Sequence, residues 1–151
     1  MVTTTPTRVP VTTPLRDLLR TATSITTLLG DGATGIYAGD NLPKDATLPA
    51  INMRRVSPGG EFEQLDQTLI RFDIWADNPG DVEAVEAALR TYLEALASKP
   101  LTPPTGATHR AVVLGVQAPP GIPLPDPDDG TPRAVVTATV TTKAVTYTPG
   151  P

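Results

Sequence analysis

Residues 68–76 read Thr-Leu-Ile-Arg-Phe-Asp-Ile-Trp-Ala, and this stretch decides the fold. Ile70, Phe72 and Ile74 alternate with Arg71 and Asp73. Successive side chains of a strand point to opposite faces, so a period of two gives one buried face and one face in water. This pattern is typical of an antiparallel strand, which therefore forms the centre of the predicted domain.

A helix is predicted directly after this strand. Asn78 can cap it, Pro79 suits its first position, and Asp81 lies at the positive end of its dipole. Its apolar side chains recur at steps of three and four residues. They are Val82, Val85, Leu89, Tyr92, Leu93 and Leu96. Lys99 and Pro100 are expected to close the helix.

Length and composition limit the classes of protein to consider. With 151 residues the chain is most simply one domain. A net charge of −4 argues against a nucleic-acid-binding protein, which needs a basic surface, and the absence of cysteine excludes disulfides and thiolate metal sites. No apolar run reaches the length of a membrane span, and the N-terminus lacks the apolar segment of a signal peptide.

The remaining elements follow from local patterns. Residues 1–13, rich in Thr and Pro, are expected to form a flexible arm. Pro14 is expected to open a helix capped by Thr13, and Ser24 to cap a second short helical turn. Further strands are predicted at 50–56, 111–116 and 133–146, and residues 35–38 are expected to form a short extended piece.

These elements predict one α+β domain over residues 14–147, followed by a flexible tail at 148–151. Its sheet is expected to be mostly antiparallel, with about four strands and with helices packed on one face. The last strand has an apolar face and a Thr-rich face, and such a strand left at a sheet edge would invite pairing with a neighbour.

Two connections are long. Residues 57–67 form a hairpin loop of about ten residues, and 118–132 are so rich in proline that regular structure is not expected there. Both are predicted to be mobile in the free subunit and to become ordered against neighbouring subunits.

Charged residues of the hairpin are candidates for chemistry or for contact. Glu61, Glu63 and Asp66 could act as paired carboxylates in acid–base catalysis. Their sequence neighbours are too polar to raise a pKa, so a solvated loop is the preferred interpretation. Arg54 and Arg55 point to opposite faces of their strand, where they balance this acidic loop.

Asp126, Asp128 and Asp129 superficially resemble a calcium loop. The spacing lacks the alternate ligands and the downstream bidentate glutamate of such a loop, which favours a solvated turn. Trp75 lies on the polar side of its strand. It is either an interface anchor or a side chain packed under another part of the same chain.

Catalytic motifs are absent from the sequence. It has no nucleophile-elbow, dinucleotide-binding or P-loop pattern, and His109, its single histidine, cannot build a multi-histidine metal site alone. No cofactor is expected.

Two segments carry a resemblance to a known family. They are LLGDGATGIYAGDNLPKDATLPAINM at residues 28–53 and TLIRFDIWADNPGDVEAVEAALRTYLEAL at residues 68–96. Together they resemble the tail terminator, or tail completion, proteins of long-tailed phages, and the resemblance covers roughly residues 15–96, with the last two strands fitting its outline. The arm and the 118–132 loop depart from this compact pattern.

The resemblance implies a structural virion protein without catalytic residues. Six copies would form a ring that caps the tail tube, ends its polymerisation and joins the tail to the head connector. Its partners would be itself, the tail tube protein and the connector protein, while DNA passes through the lumen without specific binding. It would be found at the head-proximal end of the tail, and in the host cytoplasm during assembly.

Three alternatives remain at this point. One is a neighbouring neck component, such as a head-closure or head–tail joining protein, which also forms rings. Another is a small hydrolase that uses the hairpin carboxylates. The third is a binding module unrelated to phage, for which the sequence offers no motif. If the chain is a structural virion protein, its candidate interface residues are Arg54, Arg55, Glu61, Glu63, Asp66, Trp75, Asp126, Asp128 and Asp129.

Overall fold

The computed structural model describes residues 8–57, 61–62 and 65–148. This part of the chain has an α+β fold with a mixed sheet. Its helices are α1 (Thr12–Leu19), α2 (Thr23–Thr26) and α3 (Pro79–Glu94), with a 3-10 turn at Gly32–Gly35. Its strands are β1 (Ile36–Ala38), β2 (Ala50–Ser57), β3 (Glu61–Phe62), β4 (Leu65–Trp75), β5 (His109–Gln117), β6 (Ile122–Pro123) and β7 (Arg133–Thr146).

The strand order is β1-β2-β4-β7-β5, with β3 paired to β4 and β6 paired to β7. Only the β1–β2 pair is parallel, and every other pair in the described part is antiparallel. The sequence predicted the four long strands β2, β4, β5 and β7 and a short extended piece at 35–38, which is β1, but the sheet has seven strands. The two strands that were not predicted, β3 and β6, span two residues each, too few for a period of two to be recognised.

The pairing of β4 with β7 is the longest in the sheet. It runs without interruption from Leu65 opposite Lys143 to Trp75 opposite Arg133. Strand β7 is also paired to β5 and β6 on its other side, so it lies inside the sheet. The expectation that it could be left at an edge is wrong. The alternation of Thr and apolar residues shows which face of the strand is buried, but it does not show whether the strand is paired on both sides.

The buried face of the sheet belongs to one continuous core. Phe72 lies at its centre, opposite Met53 of β2 and Val136 of β7, and all three side chains are fully buried. Helices α1 and α3 add to the same cluster the side chains of Leu15, Leu19, Val85, Leu89 and Leu93. The predicted alternation in β4 is therefore confirmed.

Both outer strands of the sheet are partly covered. On β5, the backbone of residues 98–101 bonds to Val113 and Ala111 through N–H···O contacts of 2.7–2.8 Å. On β1, the guanidinium of Arg20 donates two hydrogen bonds to the Ile36 carbonyl, at 2.7 and 3.1 Å. Fewer backbone groups are thus available for pairing with another strand.

Helix α3 begins where the sequence predicts and ends earlier. The Asn78 side chain accepts a hydrogen bond of 2.9 Å from the Asp81 N–H, which confirms the cap. The helix ends at Glu94, because the backbone then tightens into three-residue turns and Ser98 adopts a φ of 70°. The predicted closure at Lys99 and Pro100 is wrong, since this segment instead runs beside β5.

The N-terminal helices start without side-chain caps. Helix α1 begins at Thr12, and its first residues are held by a 2.8 Å bond from the Leu15 N–H to the carbonyl of Val11, which is only 6% exposed. The predicted caps at Thr13 and Ser24 are wrong, because both residues lie inside helices. Val11 from the predicted arm therefore belongs to the core, whereas residues 1–7 lie outside the described part.

The cap of α3 gives a first test. Replacing Asn78 by Ala should lower the free energy of unfolding by about 1 kcal/mol, because the Asp81 N–H loses its acceptor. Chemical denaturation measures the change. Asn41→Ala, at an exposed position with no hydrogen bond to its side chain among the described residues, is the matched control. Equal midpoints for the two variants would show that the cap contributes nothing.

Gly30 is required by a close approach between two loops. Its N–H donates to the Pro49 carbonyl at 2.9 Å, and a Cβ at this position would lie 2.7 Å from the Thr47 and Leu48 carbonyl oxygens. The neighbouring Asp31 carboxylate accepts a 2.9 Å bond from the Thr47 N–H, which lowers the pKa of Asp31. These contacts hold the loop before β2 against the end of the N-terminal helical segment.

Gly30→Ala should therefore destabilise the fold by about 1–3 kcal/mol, since backbone must move to admit one methyl group. Gly39→Ala is the control, because a Cβ there meets nothing within 4 Å. Thermal unfolding of both variants measures the difference. A Gly30→Ala protein as stable as Gly39→Ala would contradict the close approach.

Candidate functional site

The hairpin carboxylates do not form a described catalytic pair. Glu61 lies opposite Asp66 in the register of β3 and β4, and Glu63 lies outside the described residues. The Asp66 carboxylate is 3.6 Å from the Arg8 guanidinium. The connection predicted over 57–67 is shorter than expected, because β3 and the start of β4 extend the paired region into it.

Arg55 lies beside a cleft of about 330 Å³ formed by β2, β4 and the N-terminal segment. Asp66 and Arg8 line the same cleft, and the Arg55 side chain is exposed. The described ion pair of Asp66 is with Arg8, so the charge balance of Arg54 and Arg55 with the hairpin stays a prediction. Sequence reasoning missed Arg8, because it assigned residue 8 to a flexible arm.

Strand register defines a second face of the sheet, here called the open face. It carries the residues of β4 and β7 that alternate with the core, from Trp75 and Arg133 at one end to Lys143 at the other. Arg54 of β2 lies on it directly opposite Arg71. Asp73, 7% exposed, accepts a 3.0 Å bond from the Arg71 guanidinium, so one positive charge is neutralised locally.

Trp75 packs under another part of the same chain. The Arg133 guanidinium carbon lies 4.7 Å from the centre of the indole ring, a cation–π contact, and its Nε donates 2.8 Å to the Leu124 carbonyl. The indole also lines a cleft of about 410 Å³ together with Leu42 and Asp129. Of the two interpretations left open, intramolecular packing is observed, and the half-buried ring remains accessible from the cleft.

The acidic turn at 126–129 is organised by its own hydrogen bonds. The Asp126 carboxylate accepts from the N–H of Asp128 at 2.8 Å, and the Gly130 N–H donates 2.9 Å to the Asp126 carbonyl. Asp129 accepts 2.6 Å from the hydroxyl of Thr131 and 2.9 Å from its N–H. These are the bonds of a solvated turn, as the sequence predicted.

The proline-rich segment around this turn is more regular than predicted. Ile122 and Pro123 form β6 against Val135 and Ala134 of β7. The Gly121 N–H also donates to the Glu86 carboxylate of α3, which fixes the segment to the helix. Prolines can occupy an edge strand because their missing N–H points away from the partner strand, and this explains the error.

Metal ligands do not cluster in the described part of the chain, where no group of three or more His, Asp or Glu side chains could hold an ion. His109, at the start of β5, contacts the Thr108 hydroxyl at 3.0 Å through Nδ1. Among the described helices, none is long and apolar enough to cross a membrane.

Comparison of the chain with the models of known protein families found no match, and comparison with curated proteins found none either. Function is therefore inferred from the residues and their arrangement.

The acidic turn gives a testable pKa. Hydrogen bonds from the Thr131 hydroxyl and N–H stabilise the charged carboxylate and lower the pKa of Asp129. Thr131→Val should raise this pKa toward the ordinary aspartate value, because one donor is lost. NMR titration of the carboxyl carbon measures it, with Thr137→Val as the control.

The sign of the pH dependence follows from the same shift. Because the pKa of Asp129 is lower in the folded protein, its hydrogen bonds stabilise the turn above the unfolded pKa, and this contribution disappears as pH falls through the folded pKa. An unchanged pKa of Asp129 in Thr131→Val would show that the hydroxyl does not contact the carboxylate in solution.

Proposed function

We propose that this chain is a non-enzymatic structural protein of a long-tailed phage, of the tail terminator type. In this proposal six copies form a ring on the last turn of the tail tube, stop its polymerisation and present a surface to the head connector. The observation that carries the proposal is the sequence resemblance over residues 28–53 and 68–96.

The two resembling segments are neighbours in the fold, which supports treating them as one unit. The first forms the 3-10 turn, the parallel pair of β1 with β2, and the loop between them. The second forms β4, which pairs with β2 over residues 69–75, and then the capped helix α3. They include the paired strands β2 and β4 and the longest described helix, α3.

We also propose that the helices cover only one face of the sheet. Buried residues of α1, α2 and α3 share one cluster with the alternating apolar residues of the strands. The open face instead carries mostly exposed or half-buried residues such as Thr137 and Lys143, and it is buried at its β2 end, where Asn52 and Asp73 lie opposite each other. A face without covering helices is then free to contact other subunits.

The charge of the chain is compatible with a DNA passage. Each subunit carries a net charge of −4, and acidic side chains toward the lumen would repel DNA. DNA would then pass without binding to the wall, whereas a basic lumen would hold phosphate groups.

Assembly in the presence of tail tubes tests the proposal. Purified tube protein polymerised with this chain should give tubes of uniform length in electron micrographs, each bearing one ring at an end. Tubes polymerised without it should continue to grow. Unaltered tube length and unaltered head joining after removal of this protein would contradict the terminator function.

Tube growth, connector binding and an activity screen distinguish the alternative functions. A neck component would bind the head connector and leave tube growth unchanged. A hydrolase would be found by an activity screen with ester, phosphoester and glycoside substrates, compared with an Asp66→Asn variant. Turnover that disappears in this variant would replace the structural proposal by an enzymatic one.

A further inference from the structure

Positive charge is concentrated on the open face. By strand register this face carries five of the twelve lysines and arginines of the chain: Arg54, Arg71, Arg110, Arg133 and Lys143. Asp73 is the one carboxylate that register places there among the described strand residues. The rest of this acidic chain therefore carries a larger negative charge than its total of −4 indicates.

Several of these cations have internal partners, and Asp126 and Asp129 line the cleft beside Trp75, but positive charge remains in excess on this face. Arg71 is paired with Asp73, and the Arg110 guanidinium carbon lies 5.4 Å from the ring centre of Tyr147. The half-buried Arg54 and the exposed Lys143 have no ion pair with any described residue. Aromatic contacts leave a guanidinium charged, so the face can attract an acidic surface.

Apolar side chains border the same face. Ile122 is 64% exposed, and it lies opposite Val135, whose side chain belongs to the open face. Leu124 and, at the bulge of β5, Leu114 are also exposed. A basic surface with apolar margins has the composition of a protein-binding surface.

The outer side of α3 has the opposite charge. Val82, Val85, Leu89 and Leu93 turn inward to the core. The exposed side and the preceding turn carry Asp77, Asp81, Glu83 and Glu94. Arg90, the one cation within the helix, is directed to the Ala118 carbonyl at 2.8 Å. This helix therefore presents an acidic surface with the small residues Ala84, Ala87 and Thr91 between its charges.

We propose that the open face of one copy of this chain docks on the outer side of α3 of a second copy. Charge complementarity between two surfaces of the same chain points to a second copy as the occupant. A nucleic acid fits less well, because it would also meet the net negative charge of the subunit. The proposal rests on the proposed function, for which it specifies the contact between subunits.

The two surfaces differ, so the contact is head-to-tail. A contact of this kind gives a closed ring or an open filament, whereas a twofold contact would bring identical surfaces together. Each subunit then uses its open face toward one neighbour and α3 toward the other.

Cross-linking tests the pairing directly, because the chain has no cysteine of its own. Thr137→Cys on the open face and Ala87→Cys on α3 place one thiol on each exposed surface. Mixed at equal, near-millimolar concentration with a short bis-maleimide, differently tagged variants should give mainly the mixed 137–87 dimer. Thr105→Cys with Ala87→Cys is the control and should give little product.

Charge reversal tests the cause of the pairing. Lys143→Glu in the Thr137→Cys chain should reduce the mixed product about tenfold, a change equal to about 1.4 kcal/mol. Glu83→Lys in the Ala87→Cys chain should restore it. Lys44→Glu, an exposed lysine in the loop before β2, should leave the yield unchanged.

Several results would overturn the proposal. One is a product that consists mainly of 137–137 and 87–87 dimers. Another is a yield of the mixed dimer no higher than that of the Thr105 control. The third is loss of the mixed dimer when a single-stranded DNA oligonucleotide binds the open face. Repeating the cross-linking on capped tail tubes keeps the two proposals distinct. Rings without a 137–87 product would contradict this interface alone, while a 137–87 product from a protein that leaves tubes uncapped would contradict the terminator function alone.

Discussion

The fold depends on the antiparallel pairing of β4 with β7. Eleven consecutive residue pairs join them, and every other strand except β1 is paired to one of these two. This register places Phe72 beside Val136 in the core and Arg71 beside Thr137 on the open face. A shift of one residue would exchange the two faces and bury the arginine, so the apolar alternation of both strands fixes the register.

Much of this architecture depends on local patterns that can be recognised in the sequence. The period of two in β4 and β7 and the Asn78 cap depend on near neighbours, and both were predicted correctly. The central position of β7 and the existence of β6 depend on pairing between distant residues. Val11 is a similar case, because its burial against α1 is decided by packing and not by the Thr/Pro-rich composition around it.

The candidate surface was predictable in part for the same reason. Strand parity placed Arg54 and Trp75 on a polar face, and turn composition identified Asp126 to Asp129 as a solvated turn. Arg133, which covers Trp75, was missed because it is fifty-eight positions away in the sequence and is brought to the ring only by the β4–β7 register. Cross-strand partners are visible once the register is known, and a single sequence does not give it.

The arrangement of charge connects the fold to the proposed assembly. Alternation in the strands and the apolar stripe of α3 orient two separate sets of polar side chains, one basic and one acidic, while both elements bury their apolar sides in the same core. In the proposed ring each subunit binds one neighbour on each side, and the contact that closes the ring joins two subunits that are already held in place. Exposed charge pairs are individually weak and screened by salt. In the proposed ring on a tube end, many such contacts act together, and such an assembly is stable where a single pair of subunits is not.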